Sequence, residues 1–289
     1  MTKTIDTLIN DIHNIFHDPD HKVDPANLEL FGENCKAALQ ESIEEATTAR
    51  PQTLRMSKIG TPDRKLWYEM NQTPPSSSQQ REIDPALLTK FLYGHILEEL
   101  VLFLCREAGH DVRGEQDECD IGGVKGHRDC VIDNVVVDVK SASKFAFEKF
   151  RTGKLFRDDP FGYIPQISGY VQADPTTEDF GAFLAINKES GELTLLEVHP
   201  IDMVDSEALV EHKKNTVVAA DVPKDKCYPT RPVGTSGNEA IHWNCGYCAF
   251  KNKCWADANG GQGIRRFKYA NKIEELVVVK KKPMVEEIK

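Results

Sequence analysis

The sequence predicts an α/β protein in which a mixed central sheet is flanked by helices. This prediction depends on the order of the apolar patterns, because segments at helical spacing alternate along the chain with short β-branched runs. It also depends on composition, since 40% apolar and 28% charged residues are typical of a globular protein. A chain of 289 residues can hold one sizeable core with appended elements, or two small domains.

The predicted elements follow in chain order. Two N-terminal helices are predicted over 5–16 and 26–48, then a flexible polar connector over Thr73–Gln80, and then a buried helix that Asp84 caps, that starts at Pro85 and that ends near Gly109. A loop, a hairpin over 129–140, a basic helical or irregular segment over 144–160, a helix over 163–173 and a strand pair at 183–187 and 193–198 complete the predicted core.

Four regions are expected from these patterns: a helical N-terminal region over 1–80, a core over 81–215, a cysteine region over 216–260 and a C-terminal tail over 261–289. Apolar runs stay short of the roughly 18–20 residues of a membrane span, and the N-terminus lacks an apolar signal core. A cytoplasmic protein without a membrane partner is therefore expected.

The net charge of −10 argues against a protein that coats nucleic acid nonspecifically. A protein of this net charge can still hold DNA through a local basic groove. Three basic clusters are present: Lys58 with Arg64 and Lys65, the group Lys144, Lys149, Arg151, Lys154 and Arg157, and Lys280–Lys282. Each cluster alone is typical of a solvated face.

The segment from Asp129 to Lys140 carries the clearest chemical signal. Its two β-branched runs flank Asp133-Asn134, a pair that tolerates the positive φ of a tight hairpin turn. That turn would set Asp129 directly opposite Asp138, at roughly 4.5–5.5 Å between Cβ atoms, and put Lys140 on the face of Asp138. Like charges so close favour a cation between them, and carboxylate oxygen suits Mg²⁺, Mn²⁺ or Ca²⁺, although a plain half-exposed hairpin gives the same pattern.

Two helices carry further polar candidates. His95 and Glu98 lie three residues apart on the apolar 85–108 helix, where a buried charge needs a partner or a ligand. Gln166 and Tyr170 lie four apart on the 163–173 helix and share a face, where an amide can bond a phosphate and a phenol can stack on a base. A polar notch and an ordinary amphipathic helix are the alternatives.

Taken in order, Gly94-His95-x-x-Glu98, Asp129, Asp138-Val139-Lys140 and Gln166-x-x-x-Tyr170 resemble the PD-(D/E)XK nuclease superfamily. The likeness is to RecB-like exonucleases, which include the CRISPR-associated iron–sulfur exonucleases and related phage exonucleases, and it runs from about residue 55 to 256. It implies a restriction-endonuclease-like core. Arg128 stands where the family name has proline.

The resemblance also implies roles for these residues. Asp129, Asp138, Glu98 and His95 would hold Mg²⁺ or Mn²⁺, with Glu98, Asp129, Asp138 and Lys140 catalytic and with Gln166 and Tyr170 near DNA. The expected function is metal-dependent exonuclease cleavage of DNA, on single strands or ends. A structure-specific endonuclease and a catalytically silent DNA-binding subunit are the alternatives, and partner proteins of recombination, replication or CRISPR adaptation are compatible with either.

The C-terminal cysteines form a second signal. Cys245, Cys248 and Cys254 lie within ten residues, and Cys227 lies upstream in a Pro- and Gly-bearing loop. Four thiolates suit a structural Zn²⁺ or an iron–sulfur cluster, whereas a lone Cys-x-x-Cys suits a redox pair. The resemblance favours a [4Fe–4S] cluster that clamps the C-terminal part.

The first cysteine of such relatives is missing from 57–68. Cys227 is its expected replacement, Cys35 and His242 are the alternatives, and a set containing His242 would favour zinc. The cysteines at positions 105, 119 and 130 are expected to be buried thiols.

Overall fold

A computed structural model describes residues 3–47, 52–72 and 85–288. The predicted connector Thr73–Gln80 and the predicted cap Asp84 lie outside these ranges. The chain divides into two compact units, one of Met1–Gly60 with Arg81–Lys214 and the other of Thr61–Gln80 with Asn215–Lys289.

The elements are numbered here along the chain. The helices are α1 (Leu8–Ile15), α2 (Pro25–Thr47), α3 (Asp63–Asn71), α4 (Pro85–Glu107), α5 (Lys144–Arg151), α6 (Tyr163–Ala173), α7 (Ser206–Val218) and the single turns α8 (Trp243–Gly246), α9 (Lys251–Cys254) and α10 (Ala258–Gly261). The strands are β1 (Val112–Arg113), β2 (Glu118–Ile121), β3 (Val124–His127), β4 (Cys130–Ile132), β5 (Val135–Ala142), β6 (Gly181–Asn187), β7 (Leu193–Val198), β8 (Arg231–Val233), β9 (Asn238–Ala240), β10 (Arg265–Lys268), β11 (Ile273–Val278) and β12 (Glu286–Ile288). Short 3-10 helices cover Ile5–Thr7, Met56–Lys58, Lys154–Phe156 and Pro200–Asp202.

The first unit is built on a mixed five-stranded sheet in the order β1-β4-β5-β6-β7. Only the β5–β6 pair in this sheet is parallel, and the other neighbours run antiparallel. A parallel pair needs a long crossover, and the chain supplies it with α5 and α6 between the two strands. The predicted α/β class with a mixed sheet is confirmed.

Side chains alternate across β5, and each face of the sheet has its own core. Val135, Val137 and Val139 pack with α1 and α4 residues such as Leu8 and Val101. Val136 packs on the other face, in the cluster that contains residues of α5 and α6. The sheet is therefore covered by helices on both faces, as a strand with a parallel neighbour requires.

The β4–β5 hairpin has the predicted turn. Asp133 and Asn134 adopt φ values of 50° and 72°, the left-handed conformation that both central residues of a tight type I′ hairpin need. The ladder pairs Ile132 with Val135, Val131 with Val136 and Cys130 with Val137. The predicted register of this hairpin is confirmed.

Helix α4 departs from its prediction in one respect. Leu97, Val101 and Leu102 are buried as expected, but Phe91 and Tyr93 near its start are exposed. Apolar residues all around a helix thus did not mean burial all around it. The loop expected after α4 also contains β1 and the β2–β3 hairpin, whose two to four residues per strand are too short for a periodicity to show.

The second unit has its own antiparallel sheet in the order β12-β10-β11-β9-β8. The segment expected to be a C-terminal tail supplies three of these strands, and Phe267 and Leu276 are fully buried in a core cluster there. Helix α3 belongs to this unit, because the Tyr68 ring stacks on Phe250 at 5.4 Å between centroids.

The division into units differs from the four predicted regions. Residues 61–72 group with the C-terminal unit instead of the helical N-terminal region, while the break at Lys214 and Asn215 falls beside the expected boundary after 215. Within the part of the chain that the structure describes, no helix combines the length and the apolar character that a membrane crossing requires.

Two backbone segments of the first unit cross closely at glycines. A Cβ added at Gly60 would lie 2.4 Å from the Cα of Gly162. We expect Gly60→Ala to lower the free energy of unfolding by about 1–3 kcal/mol, the usual cost of overpacking, in urea denaturation. Gly32→Ala is the matched control, because nothing lies within 4 Å of a Cβ at this α2 position, and it should stabilise by about 0.5–1 kcal/mol. Equal midpoints for the two variants would contradict the close crossing.

Candidate active site and cysteine cluster

The hairpin brings two carboxylates to one end of its ladder. Cys130 and Val137 form the last pair of β4 with β5, so Asp129 and Asp138 are the next opposed positions. The Asp129 carboxylate accepts a hydrogen bond of 2.8 Å from the backbone N–H of Val139, while the Asp138 side chain is 1% exposed. The predicted juxtaposition is thus present, at a buried position.

The carboxylates of Asp129, Asp138 and Glu98 repel one another. Burial raises the pKa of Asp129 to about 7, and the neighbouring Asp138 carboxylate contributes to the rise. Burial likewise raises the pKa of Glu98 to about 9, with further contributions from Asp129 and Asp138. Glu98 therefore lies near enough to Asp129 and Asp138 for the three carboxylates to act on one another.

Lys140 supplies a cation to the cluster. Its ammonium forms an ion pair with Asp138 on the same face of β5. Burial acts to lower the pKa of Lys140, but Asp138 and Asp129 outweigh it and hold that pKa above its ordinary value. The lysine is therefore charged, and its Nζ also lies 5.0 Å from the centre of the Tyr163 ring.

One lysine does not satisfy the buried carboxylate of Asp138. Apart from that ion pair, neither Asp138 oxygen has a hydrogen-bond partner among the residues of the described ranges. An unsatisfied buried carboxylate is costly. A carboxylate in this state, beside two others of raised pKa, suits an additional cation.

Close helix–strand packing positions Glu98. A Cβ added at Gly94 would lie 3.2 Å from the Ser141 Oγ, so α4 approaches β5 closely one turn before Glu98. His95 follows Gly94 and is exposed. The absence of a side chain at position 94 thus permits the close packing of α4 against β5 at this point.

A cavity of about 470 Å³ opens beside this cluster. Its walls include the predicted residues His95, Glu98 and Asp129, together with Arg55 and His127, which the sequence did not single out. His127 lies at the end of β3, two positions before Asp129, and this spacing is the one signal that could have found it. Arg55 has no such signal. The cavity gives a substrate access to Glu98 and Asp129.

Gln166 and Tyr170 share a face of α6 as predicted, and the Gln166 Nε2 donates a hydrogen bond of 3.3 Å to the Tyr170 Oη. Tyr170 is fully buried, and a Cβ added at Gly126 would lie 3.2 Å from its Oη. This burial raises its pKa to about 12. Tyr170 therefore packs within the core, and Gln166 is the more accessible of the pair.

Two further residues of the region were missed by the sequence reasoning. Tyr163 lies three positions before Gln166, so the same helical spacing that linked Gln166 with Tyr170 could have included it. Arg128 is buried and forms ion pairs with Asp117, at 2.9 Å, and with Asp174. These pairs fix the backbone immediately before Asp129.

The four predicted cysteines of the second unit are electrostatic neighbours. Burial raises the pKa of the Cys245 thiol to about 11, with contributions from Cys227, Cys248 and Cys254. Burial also raises the pKa of Cys227, to which Cys254 and Cys248 contribute. Cys227 therefore lies near enough to the later thiols to affect their pKa.

Of the two alternative ligands, His242 has partners of its own and Cys35 belongs to the other unit. The ring of His242 stacks on Tyr228 at 5.0 Å, and its Nδ1 accepts a hydrogen bond from the backbone N–H of Asn244. Cys35 belongs to the first unit, where burial and then Glu99 raise its pKa. Cys105, Cys119 and Cys130 are buried thiols, as expected.

The stretch 57–68 contributes cations to the cysteine cluster. The Arg64 Nε donates to the Cys254 Sγ at 3.2 Å, and the backbone N–H of Lys65 bonds the Cys227 sulfur. The segment in which the resemblance implies a cysteine thus donates hydrogen bonds to two of the thiols.

Neither set of side chains is closed around an ion. Within residues 3–47, 52–72 and 85–288, no three His, Cys, Asp or Glu side chains converge at the distances that metal ligands require. The donor atoms therefore decide which ions each set of side chains would suit. Unsatisfied carboxylate oxygen suits hard divalent ions, and four neighbouring thiols suit zinc or iron.

Comparisons with known proteins leave the family open. No protein-family model and no curated protein matches the chain. A solved structure, the crystal structure of SSO0001, is 17% identical, with a TM-score of 0.40 over 74% of this chain and 93% of that one.

Removal of the Lys140 ammonium should be costly for the fold. We expect Lys140→Met to lower the free energy of unfolding by about 3–5 kcal/mol, because it leaves the buried Asp138 charge without its cation. Addition of Asp138→Asn should recover part of that loss. Urea denaturation in chelator measures both.

Lys125→Met is the matched control for this pair. Lys125 forms an exposed ion pair of 2.7 Å with Glu118, which solvent screens, so its loss should change stability little. If Lys140→Met lowered the free energy of unfolding no more than Lys125→Met did, the ion pair of Lys140 with Asp138 would not stabilise the fold.

Proposed function

We propose that this protein is a divalent-metal-dependent DNA exonuclease with a PD-(D/E)XK core of the RecB-like type. The observation that carries the proposal is the buried Asp138 carboxylate, which has no polar partner besides the charged Lys140 among the described residues and lies beside Asp129 and Glu98. Such a cluster costs stability, and a site retains that cost where the charges bind a cation and a substrate.

Asp129, Asp138 and Glu98 would hold Mg²⁺ or Mn²⁺, and the exposed His95 could complete the set from the same helix. When bound, such an ion supplies an activated water and a positive charge facing the phosphate oxygens. The three carboxylates offer the hard oxygen ligands that these ions prefer.

Lys140 adds a second positive charge that belongs to the protein itself. Its raised pKa keeps the ammonium protonated, so it can donate hydrogen bonds to an attacking water or to a phosphate oxygen. The Tyr163 ring beside it limits where the ammonium can point. Gln166 offers an amide donor for the DNA backbone one turn further along α6.

The cysteine cluster is proposed to hold a [4Fe–4S] cluster, with Zn²⁺ as the alternative. Cys227, Cys245, Cys248 and Cys254 would be the ligands, which agrees with their mutual effect on one another's pKa. The hydrogen bond from Arg64 to Cys254 places a positive charge beside a ligand set whose bound thiolates would be negative.

Cleavage of end-labelled linear DNA with Mn²⁺ tests the proposed activity. Asp138→Asn should reduce the rate by about 10²–10³-fold or more, as expected when a preorganised electrostatic group is lost. Glu207→Gln is the matched control, because Glu207 is an exposed carboxylate in the first turn of α7, and it should keep the wild-type rate. An unchanged rate in Asp138→Asn would overturn the mechanism.

The same assay separates the alternatives. An exonuclease leaves closed circular single-stranded DNA intact, whereas a structure-specific endonuclease cuts closed circles that offer the right structure. Absence of cleavage of any of these substrates with either ion would favour the catalytically silent DNA-binding subunit.

Metal analysis of anaerobic protein tests the cysteine cluster. We expect a brown preparation with a visible thiolate-to-iron absorption band, and we expect Cys227→Ser to lose most of the iron because one ligand is gone. Cys35→Ser should keep it. Colourless anaerobic protein with stoichiometric zinc would contradict the iron–sulfur assignment, and loss of iron in Cys35→Ser would contradict the ligand set.

A further inference from the structure

An exposed aromatic surface lies between β5 and α6. Phe145 is 73% exposed, Phe156 38% and Phe161 63%, all within 17 residues of sequence. We call this surface, with the cations Lys144, Lys154 and Arg157, the Phe–Lys surface. Several large apolar side chains exposed together indicate a binding site more often than chance exposure.

The surface is held in place by a lysine beneath it. The Lys149 Nζ lies 5.6 Å from the Phe145 ring centre and forms an ion pair of 2.7 Å with Asp158. It also donates to the Asp158 backbone carbonyl. Because Lys149 is on α5 and Asp158 precedes Phe161 by three residues, this contact fixes both ends of the surface relative to each other.

The cations of the surface remain available. No ion pair joins the side chains of Lys144, Lys154 or Arg157 to other residues in the described ranges, although Glu148 lies close enough to Lys144 and Lys154 for both to help lower its pKa and the Glu189 carboxylate accepts from the Lys144 backbone N–H. Glu148 pairs with Arg151, Asp158 pairs with Lys149, and the Asp159 carboxylate accepts from the backbone N–H groups of Gly162 and Ile164. A chain of net charge −10 thus carries a local excess of positive charge next to exposed rings.

The surface leads to the candidate active site. The Phe161 ring lies 5.4 Å from that of Tyr163, and the Tyr163 ring centre lies 5.0 Å from the Lys140 Nζ. Phe150 stacks on the inner side of Tyr163 at 6.1 Å and anchors it to the core. A continuous row of rings therefore runs from solvent to the lysine.

We propose that the Phe–Lys surface binds unpaired nucleotides of single-stranded DNA next to the cleavage site, an inference that depends on the proposed nuclease function. Bases stack on Phe145 and Phe161, while Lys144, Lys154 and Arg157 bind the backbone phosphates. Exposed rings interleaved with unpaired cations match the chemistry of a single strand. A duplex presents its phosphates but hides its base faces, so it uses the cations alone.

Binding in chelator tests the surface without cleavage. Anisotropy of a labelled oligothymidine of about 16 nucleotides should show Phe161→Ala and Phe145→Ala binding about 5- to 100-fold more weakly, with Phe161→Trp restored to wild-type affinity. Phe16→Ala removes an equally exposed ring at the end of α1, outside the surface, and should bind as the wild type does. Lys154→Ala should reduce the slope of log affinity against log salt by about 0.7.

The outcomes separate this inference from the proposed function. Wild-type affinity in both Phe variants, or equal weakening by Phe16→Ala, would contradict DNA binding by the Phe–Lys surface. Either result would leave the conclusion from the metal-dependent assay of Asp138→Asn unchanged. Equal loss of duplex affinity in Phe161→Ala would also contradict the proposed single-strand binding, because stacking requires unpaired bases. Weakened single-strand binding with unchanged duplex binding supports it, and circular dichroism of each variant confirms that the fold is retained.

Discussion

The candidate active site depends on the register of one hairpin. A slip of one residue between β4 and β5 would send every side chain of the slipped strand to the opposite face, and with it Asp129 or Asp138. The register is held at the turn, where Asp133 and Asn134 both have positive φ. Two contacts also hold the Asp133 side chain: its Oδ1 accepts a hydrogen bond from the Asp111 N–H, and its Oδ2 lies 2.6 Å from the His110 Nδ1.

The surrounding sheet makes this unfavourable cluster tolerable. Three carboxylates approach one another in a buried place, and a single lysine offsets part of their repulsion. On its own this arrangement opposes folding. The strand that carries it, however, lies at the centre of a sheet with packed helices on both faces, and the apolar cores there supply the compensating stability.

Local chemistry explains which parts of the structure were predictable. The I′ turn, helix α6 and the β6–β7 pair follow from residues adjacent in sequence, and the structure has them as predicted. The sequence also grouped Cys227 with the later thiols. Arg128 with Asp174, or Arg64 with Cys254, could not be predicted, because each pair joins residues distant in sequence through the fold alone. Burial of Tyr170 was missed for the same reason, since its neighbours Met56 and Gly126 come from other elements.

The second unit is assembled from two separated pieces of sequence, and this bears on how the chain folds during synthesis. Trp67 donates its indole N–H to the Ala219 carbonyl, and Tyr68 stacks on Phe250. During synthesis, more than 150 residues are added after α3 before the residues that it packs against emerge from the ribosome. The sheet of the first unit can form in that interval. Two large aromatic side chains remain without their native cover throughout that time, which exposes α3 to aggregation until the later residues are made.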